Sequence, residues 1–124
     1  MIKKKKLPTM KRLKKDADKV FSDFIRQRDK GRCYTCDNIK DWTEQQNGHY
    51  MSRRHTNTRY DEENCHCQCV SCNVFLRGNM PLYAIRLQKQ YGNDILKDLF
   101  RKAHTTIKCD RLFLDKIIKK YGRK

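Results

Sequence analysis

Thirty Lys and Arg against fourteen Asp and Glu give this 124-residue chain a net charge of +16, and hydrophobic residues make up only 37% of it. Such a length has room for one domain with a modest core; no apolar run approaches a membrane span, and the N-terminal lysines have no apolar h-region behind them, so neither a membrane protein nor a secretory signal is expected. The charge points to a polyanionic partner, nucleic acid first, but carries no chemistry by itself.

Residues 1–15 hold eight Lys or Arg and no acid. They read as a basic flexible arm that binds phosphates non-specifically, with nuclear localisation the weaker reading of the same letters. Leu13, Ala17, Val20, Phe21, Phe24 and Ile25 recur at helical spacing, which predicts an amphipathic helix over about residues 11–29, ended by Gly31. Cys33 and Cys36 follow at once, and a second Cys-x2-Cys pair, Cys69 and Cys72, comes after a gap of 32 residues. Each tight turn presents two sulfurs to one ion, so the four thiolates can close a tetrahedral structural zinc site, which would staple a small core. Knuckle spacing and an odd total of seven cysteines favour metal over disulfides and a reducing, cytoplasmic setting. Cys65, Cys67 and Cys109 are then spare thiols that pack as small apolar groups; Cys67 stands close enough to the second pair to substitute as a ligand.

Residues 38–47 read as a loop in which Trp42 covers part of the core. Gly48–Met51 and Asn64–Cys69 have the character of two short strands joined by a long turn over residues 52–63, and a helix is predicted from about Val70 to Leu76. Asn79 as N-cap, Pro81 in the first turn and the stripe Leu82, Ile85, Leu87, Tyr91 predict a helix closed by Gly92. Asn93 and Asp110 would cap two more. These helices carry more apolar side chains than a knuckle and a hairpin can cover, so they either form a homodimer interface or pack on one another.

The insert between the cysteine pairs has a distinctive layout. His49, then Asn64, then Cys69 and Cys72 with Asn73 directly after them, resembles the HNH, or ββα-metal, nucleases of the His-Asn-Asn type. More narrowly, Gly48-His49-Tyr50-Met51-Ser52-Arg53-Arg54-His55, then Thr58-Arg59, then Asn64, His66, Gln68, Cys69, Cys72 and Asn73, then Gly78-Asn79-Met80 and Tyr83, resembles the phage NinG/Rap recombination-protein family over roughly residues 10–100. The resemblance implies an α+β, mainly helical fold: a zinc-stabilised ββα-metal core over residues 16–79, an N-terminal helix, and a C-terminal helical extension over residues 80–124, all in one globular domain. It also implies a metal-dependent endonuclease in a phage-infected bacterial cytoplasm, acting on branched DNA such as Holliday junctions or D-loops.

Hydrolysis of a phosphodiester needs an activated water, a Lewis acid on the phosphate and a stabilised leaving oxygen. His49 falls at the general-base position, where a near-neutral pKa suits the work. Asn73 falls where the family binds the catalytic ion, and its amide oxygen is a hard neutral ligand suited to Mg²⁺ or Mn²⁺. Asn64 matches the central Asn that pins the loop by backbone hydrogen bonds and so orients the base. Arg53, Arg54, His55 and Arg59 crowd the loop that brings DNA to the metal. One departure matters: many HNH enzymes place an Asp or His before the catalytic His as a second metal ligand, and here Gly48 offers none. His66 is the favoured replacement, with Asp61, Glu62 and Glu63, or an ion held only by Asn73, phosphate and water, as the others. Two alternatives stay open: a catalytically silent zinc module that binds DNA, and a restriction- or homing-type HNH enzyme, for which so short a chain has no added domain to read a long site.

Overall fold

The computed structural model describes residues 6–122; residues 1–5 of the expected basic arm, together with 123–124, lie outside them. The chain is mixed α+β and mostly helical. Helix α1 (Met10–Arg28) is followed by a short 3-10 turn (Trp42–Glu44), strand β1 (Gln46–His49), helix α2 (Thr56–Arg59), strand β2 (Cys65–Gln68), a π-helical turn (Ser71–Phe75) and helices α3 (Met80–Tyr91), α4 (Ile95–Ala103) and α5 (Arg111–Tyr121). None is long and apolar enough to cross a membrane.

Helix α1 starts earlier than a fifteen-residue arm allows. Thr9 caps it by accepting from the Arg12 N–H, and Leu13 is already buried, so residues 10–15 are helix and not arm. Leu13, Ala17, Phe21 and Ile25 form one buried stripe, four apart, that packs with Tyr60, Cys65 and Leu114 of α5. Phe21 stands edge-on to Tyr60 and Tyr121 with ring centroids 5.7 and 4.8 Å away. The helix stops at Arg28, and the chain reverses through Lys30 and Gly31, both with positive φ. Gly31 is required there because a Cβ would lie 1.9 Å from the Lys40 carbonyl oxygen.

Among the described residues the sheet has two strands, antiparallel, with Gly48 opposite His66 and His49 opposite Cys65. Four-residue strands are marginal alone, and β2 is buried along its whole length because it is covered from every side. One face, bearing Cys65, enters the α1–α5 core. The other, bearing His66 and Gln68, meets a second core of Tyr83, Leu87, Ile95 and Leu99 with Tyr34 packed against it. Its free edge is closed by the end of α1 and by the first cysteine turn: Arg28 donates to the Cys65 carbonyl at 2.8 Å, Asp29 accepts from the Cys67 N–H at 2.8 Å, and the Tyr34 N–H donates to the Cys67 carbonyl at 2.7 Å. An edge that would otherwise invite pairing with another chain is thereby used up.

Several sequence expectations shift. Strand β1 lies two residues earlier than Gly48–Met51. The stretch 70–76 closes as a π turn, with the Leu76 N–H reaching the Ser71 carbonyl at 2.9 Å. Asn79 takes the N-cap place in a left-handed conformation, yet its amide turns to the Cys72 sulfur at 3.7 Å and does not cap. Asp94, not Asn93, precedes α4, whereas Asp110 caps α5 by accepting from the Phe113 N–H. In α3 the buried residues are Tyr83 and Leu87, while Ile85 faces solvent. The C-terminal helices pack into the rest of the chain: α5 completes the α1 core, and α3 and α4 build the second.

Gly48 is fixed by sterics. The Gln68 amide donates to Thr35 Oγ1 (3.1 Å) and the Gly78 carbonyl (2.9 Å), and so lies across the glycine, where a Cβ would fall 1.9 Å from its Oε1. Gly48→Ala is expected to destabilise the fold by about 1–3 kcal/mol in denaturant unfolding. In combination with Gln68→Ala the two losses should fall short of their sum by at least ~0.5 kcal/mol; strict additivity would show that this overlap is not what excludes a side chain.

Candidate functional site

An open cleft of about 870 Å³ runs between α1, β1, the loop after β1 and the π turn. It brings together His49, Asn73, Arg53 and Arg59, which are far apart in sequence, and adds Asp18, Gln46 and Arg77.

His49 ends β1. Its Nε2 lies 2.9 Å from the Arg59 carbonyl; a carbonyl only accepts, so Nε2 carries the proton and Nδ1 keeps its lone pair. Burial, aided by the positive charges of Arg53 and Arg59 and opposed by the bond to the Arg59 carbonyl, lowers its pKa to about 4. The imidazole is therefore neutral near pH 7. The carbonyl that orients it is itself held in place. Asn64 is fully buried, accepts from the Met51 N–H at 2.8 Å, and donates to the carbonyls of Met51 (3.1 Å) and Thr58 (3.0 Å), pinning both ends of the loop between the strands. Arg59 then clamps the loop to α1. Its Nε donates to Asp18 at 2.9 Å, and the Tyr60 hydroxyl donates to the same carboxylate at 2.9 Å. Burial raises the Asp18 pKa, but these bonds outweigh it and the net shift is downward.

Asn73 lines the cleft from the π turn. Its Nδ2 donates to Gln46 Oε1 at 2.7 Å, which fixes the amide plane and leaves Oδ1 as its free oxygen. Arg53 is exposed at the mouth.

Other residues expected in the site are elsewhere. His66 is on the opposite face of the hairpin, 1% exposed, stacked on Tyr34 at 3.9 Å between ring centroids, with Nδ1 and Nε2 at 3.1 and 3.0 Å from the hydroxyls of Tyr83 and Tyr91. Both nitrogens are occupied, and burial lowers its pKa to about 3; it is a packed core histidine and no ligand in the cleft. The loop acids do not reach the cleft either: Asp61 accepts from Lys102 at 2.6 Å, Glu62 from the Tyr121 hydroxyl at 2.8 Å, and Glu63 is exposed outside it. Arg54 is exposed and does not line the cleft, and His55 packs against His104 with ring centroids 4.9 Å apart. The Arg59 guanidinium is committed to Asp18, so it orders the loop more than it offers a free charge. Asp18, Gln46 and Arg77 had no sequence signal, because each is an ordinary polar residue until the fold brings it to the cleft wall.

The ligand atoms of Cys33, Cys36, Cys69 and Cys72 all lie within 4.8 Å of one another, positioned to bind a metal ion such as zinc. Burial raises the Cys36 thiol to about 12 and the Cys72 thiol in the same direction, but at Cys33 hydrogen bonds from the Thr35 hydroxyl and backbone N–H groups overcome it and hold the thiol down to about 6; a bound cation would favour the thiolate at all four. Cys67 is buried beside this set but is not part of it, and Cys65 packs in the α1–α5 core.

A family model described as Bacteriophage Lambda NinG protein matches residues 1–124. Protein ninG of Salmonella phage P22 is 33% identical over 101 residues, covering 77% of this chain and 49% of that protein. Protein ninG of Escherichia phage lambda is 30% identical over 87 residues, covering 68% and 42%, and that of Escherichia phage 933W is 31% identical over 87 residues, covering 68% and 43%. The chain spans about half the length of the curated relatives it matches, or somewhat less. No solved structure matches. With the whole chain matched by the family model, the protein belongs to the NinG family of lambda-like bacteriophages.

Proposed function

We propose that this chain is a zinc-stabilised, metal-dependent DNA endonuclease of the HNH type that acts on branched DNA in phage recombination, in the cytoplasm of the infected cell. The observation that carries the reading is His49: a neutral imidazole with Nε2 tied to a backbone carbonyl and Nδ1 unprotonated, in one cleft with Asn73 and Arg53. That is the tautomer a general base needs to take a proton from water. The order β1, α2, β2, π turn, with one cysteine pair ahead of β1 and the other leading into the π turn, supports the same reading.

In this reading His49 Nδ1 accepts the proton of the attacking water, and Asn64, through the loop it pins, keeps the ring aimed. Arg53 and Arg77 bind the phosphate backbone, and the Asp18–Arg59 pair holds the cleft wall. Asn73 Oδ1 would hold a divalent ion such as Mg²⁺ or Mn²⁺, which when bound stabilises charge on the phosphate and the leaving oxygen. Asp18 is the only carboxylate lining the cleft among the described residues, and it is already paired. A single neutral protein oxygen suits an ion that keeps several waters and completes its shell with substrate phosphate, so affinity for the ion is weak until DNA is bound. The same shortage favours a second reading, a non-catalytic DNA-binding zinc module.

Cleavage of a labelled four-way junction beside a linear duplex, in Mg²⁺ or Mn²⁺, separates the two. The unmodified protein is expected to cut the junction preferentially and His49→Ala to lose at least about 100-fold in rate while still binding. If neither cuts and both bind, the binding module is the better reading; equal cutting of both DNAs removes the branched-substrate claim and leaves the chemistry.

A pH profile tests the base itself. With the folded pKa of His49 near 4, the competent neutral form persists as pH falls and is lost only through about that value. Cleavage should stay flat from neutral pH down to roughly pH 5, instead of halving near 6.5 as for an unperturbed histidine; a midpoint at 6–7 would mean that another group, or an exposed His49, supplies the base.

The four-thiol site predicts one tightly held zinc per chain. Cys72→Ser should lower the bound metal measured by mass spectrometry, and chelation should lower the melting temperature by roughly 10 °C or more. A metal-free protein indifferent to chelators would remove the zinc from this account.

A further inference from the structure

Directly after Asn73 the π turn exposes three consecutive apolar side chains, Val74, Phe75 and Leu76, with Phe75 at 77% relative exposure. In a chain that is 35% charged, a contiguous apolar knob turned to solvent marks a contact surface. Its place narrows the contact. Val74 lines the cleft together with Asn73 and Arg77, so the knob adjoins the cleft through Val74. It is also held firmly from behind. The Leu76 and Gly78 N–H groups donate to the carbonyls of Ser71 (2.9 Å) and Cys72 (2.8 Å), Cys72 belongs to the thiol cluster, and the Gly78 carbonyl accepts from Gln68 of β2. An aromatic ring on a rigid turn can enter a base stack without much ordering on binding.

We infer that Phe75, with Val74 and Leu76, is a wedge that stacks on unpaired or splayed bases where a DNA branch meets the cleft. A base offers an apolar face on an anionic backbone, which matches an apolar knob followed by Arg77 beside a cleft that Arg53 also lines; a second copy of a chain with net charge +16 would bring like charge against like charge. Apolar wedges between base steps and aromatic platforms for single strands are established ways to hold distorted DNA. Linear duplex offers no splayed base, so the wedge favours branched DNA. The inference rests on the DNA-binding part of the function proposed above.

Binding is measured by fluorescence anisotropy without added Mg²⁺ or Mn²⁺, so that cleavage does not enter, on a four-way junction carrying 2-aminopurine beside the branch point and on a linear duplex of equal length. Phe75→Ala is expected to weaken junction binding about tenfold, the worth of one stacked base, to abolish the 2-aminopurine change seen with the unmodified protein, and to leave duplex binding within about twofold. Phe75→Trp should retain both junction signals, and melting curves of the two variants should match the unmodified protein because the ring is exposed. If the unmodified protein binds DNA and Phe75→Ala behaves identically on the junction, the wedge is overturned and the nuclease reading stands. An equal loss on both DNAs, accompanied by a shift from dimer to monomer in sedimentation, would assign the knob to contact between copies. Failure of the unmodified protein to bind either DNA would overturn the wedge and the proposed function together.

Discussion

One buried hydroxyl ties the hairpin to the helices beneath it. Tyr83 Oη lies 2.7 Å from the Gly48 carbonyl, 3.3 Å from the Asn64 carbonyl and 3.1 Å from His66 Nδ1. It has a single proton, and the carbonyls can only accept, so that proton goes to a carbonyl and the Tyr83 oxygen must accept from an Nδ1–H of His66. His66 Nε2 is then the acceptor for the Tyr91 hydroxyl. A neutral imidazole gives every member of this chain a partner, in agreement with the lowering of its pKa by burial. The network fixes both strands against α3 on the face away from the cleft, and the register it enforces sends His49 to the other face.

Helix α1 does the corresponding work on that other face. Its apolar stripe forms the main core, while Asp18, Phe21 and Ser22 form one wall of the cleft. The same helix therefore sets both the stability of the hairpin and the position of the loop that orients His49, through the contact of Asp18 with Arg59 and Tyr60. Asp18 spans 41 residues to reach Arg59, and a pair so placed resists any motion of the loop relative to the helix. A partly buried, bidentate pair of this kind contributes more to geometry than to net stability.

How much of this was legible in the sequence follows from how local each feature is. Helix α1 could be read to within a residue or so because four-residue spacing of large apolar groups needs no partner to be visible. Asp110 was readable as a cap for the same reason. Strand β1 was displaced because Gln46 and Asn47 have no strand character alone; only pairing with Gln68 and Cys67 makes them a strand. Alternation correctly puts His66 on the side of Asn64, but nothing local tells that this side meets Tyr34, Tyr83 and Tyr91 instead of a metal ion. Asn79 looked like a cap, yet the cysteine cluster claimed its amide. The thiol set, by contrast, was fully legible, since ligand spacing within each turn is a local property and only the closing of the two turns on each other is tertiary.

The distribution of charge explains why the cleft can be ordered and still attract a polyanion. Of the two arginines that the loop sends to the cleft, Arg59 is neutralised by Asp18 and supplies a fixed carbonyl to His49, whereas Arg53 remains exposed. If both were free, their mutual repulsion would push apart the segments that must stay together; if both were paired, no positive charge of the loop would face the phosphate. Ordering is thus assigned to one arginine and attraction to the other, with Arg77 also lining the cleft and a net +16 providing a long-range field that salt screens. It follows that high salt should act chiefly on how often DNA arrives and much less on the orientation of His49, because the bonds that aim the imidazole run through backbone, the buried Asn64 and a partly buried ion pair that salt screens less.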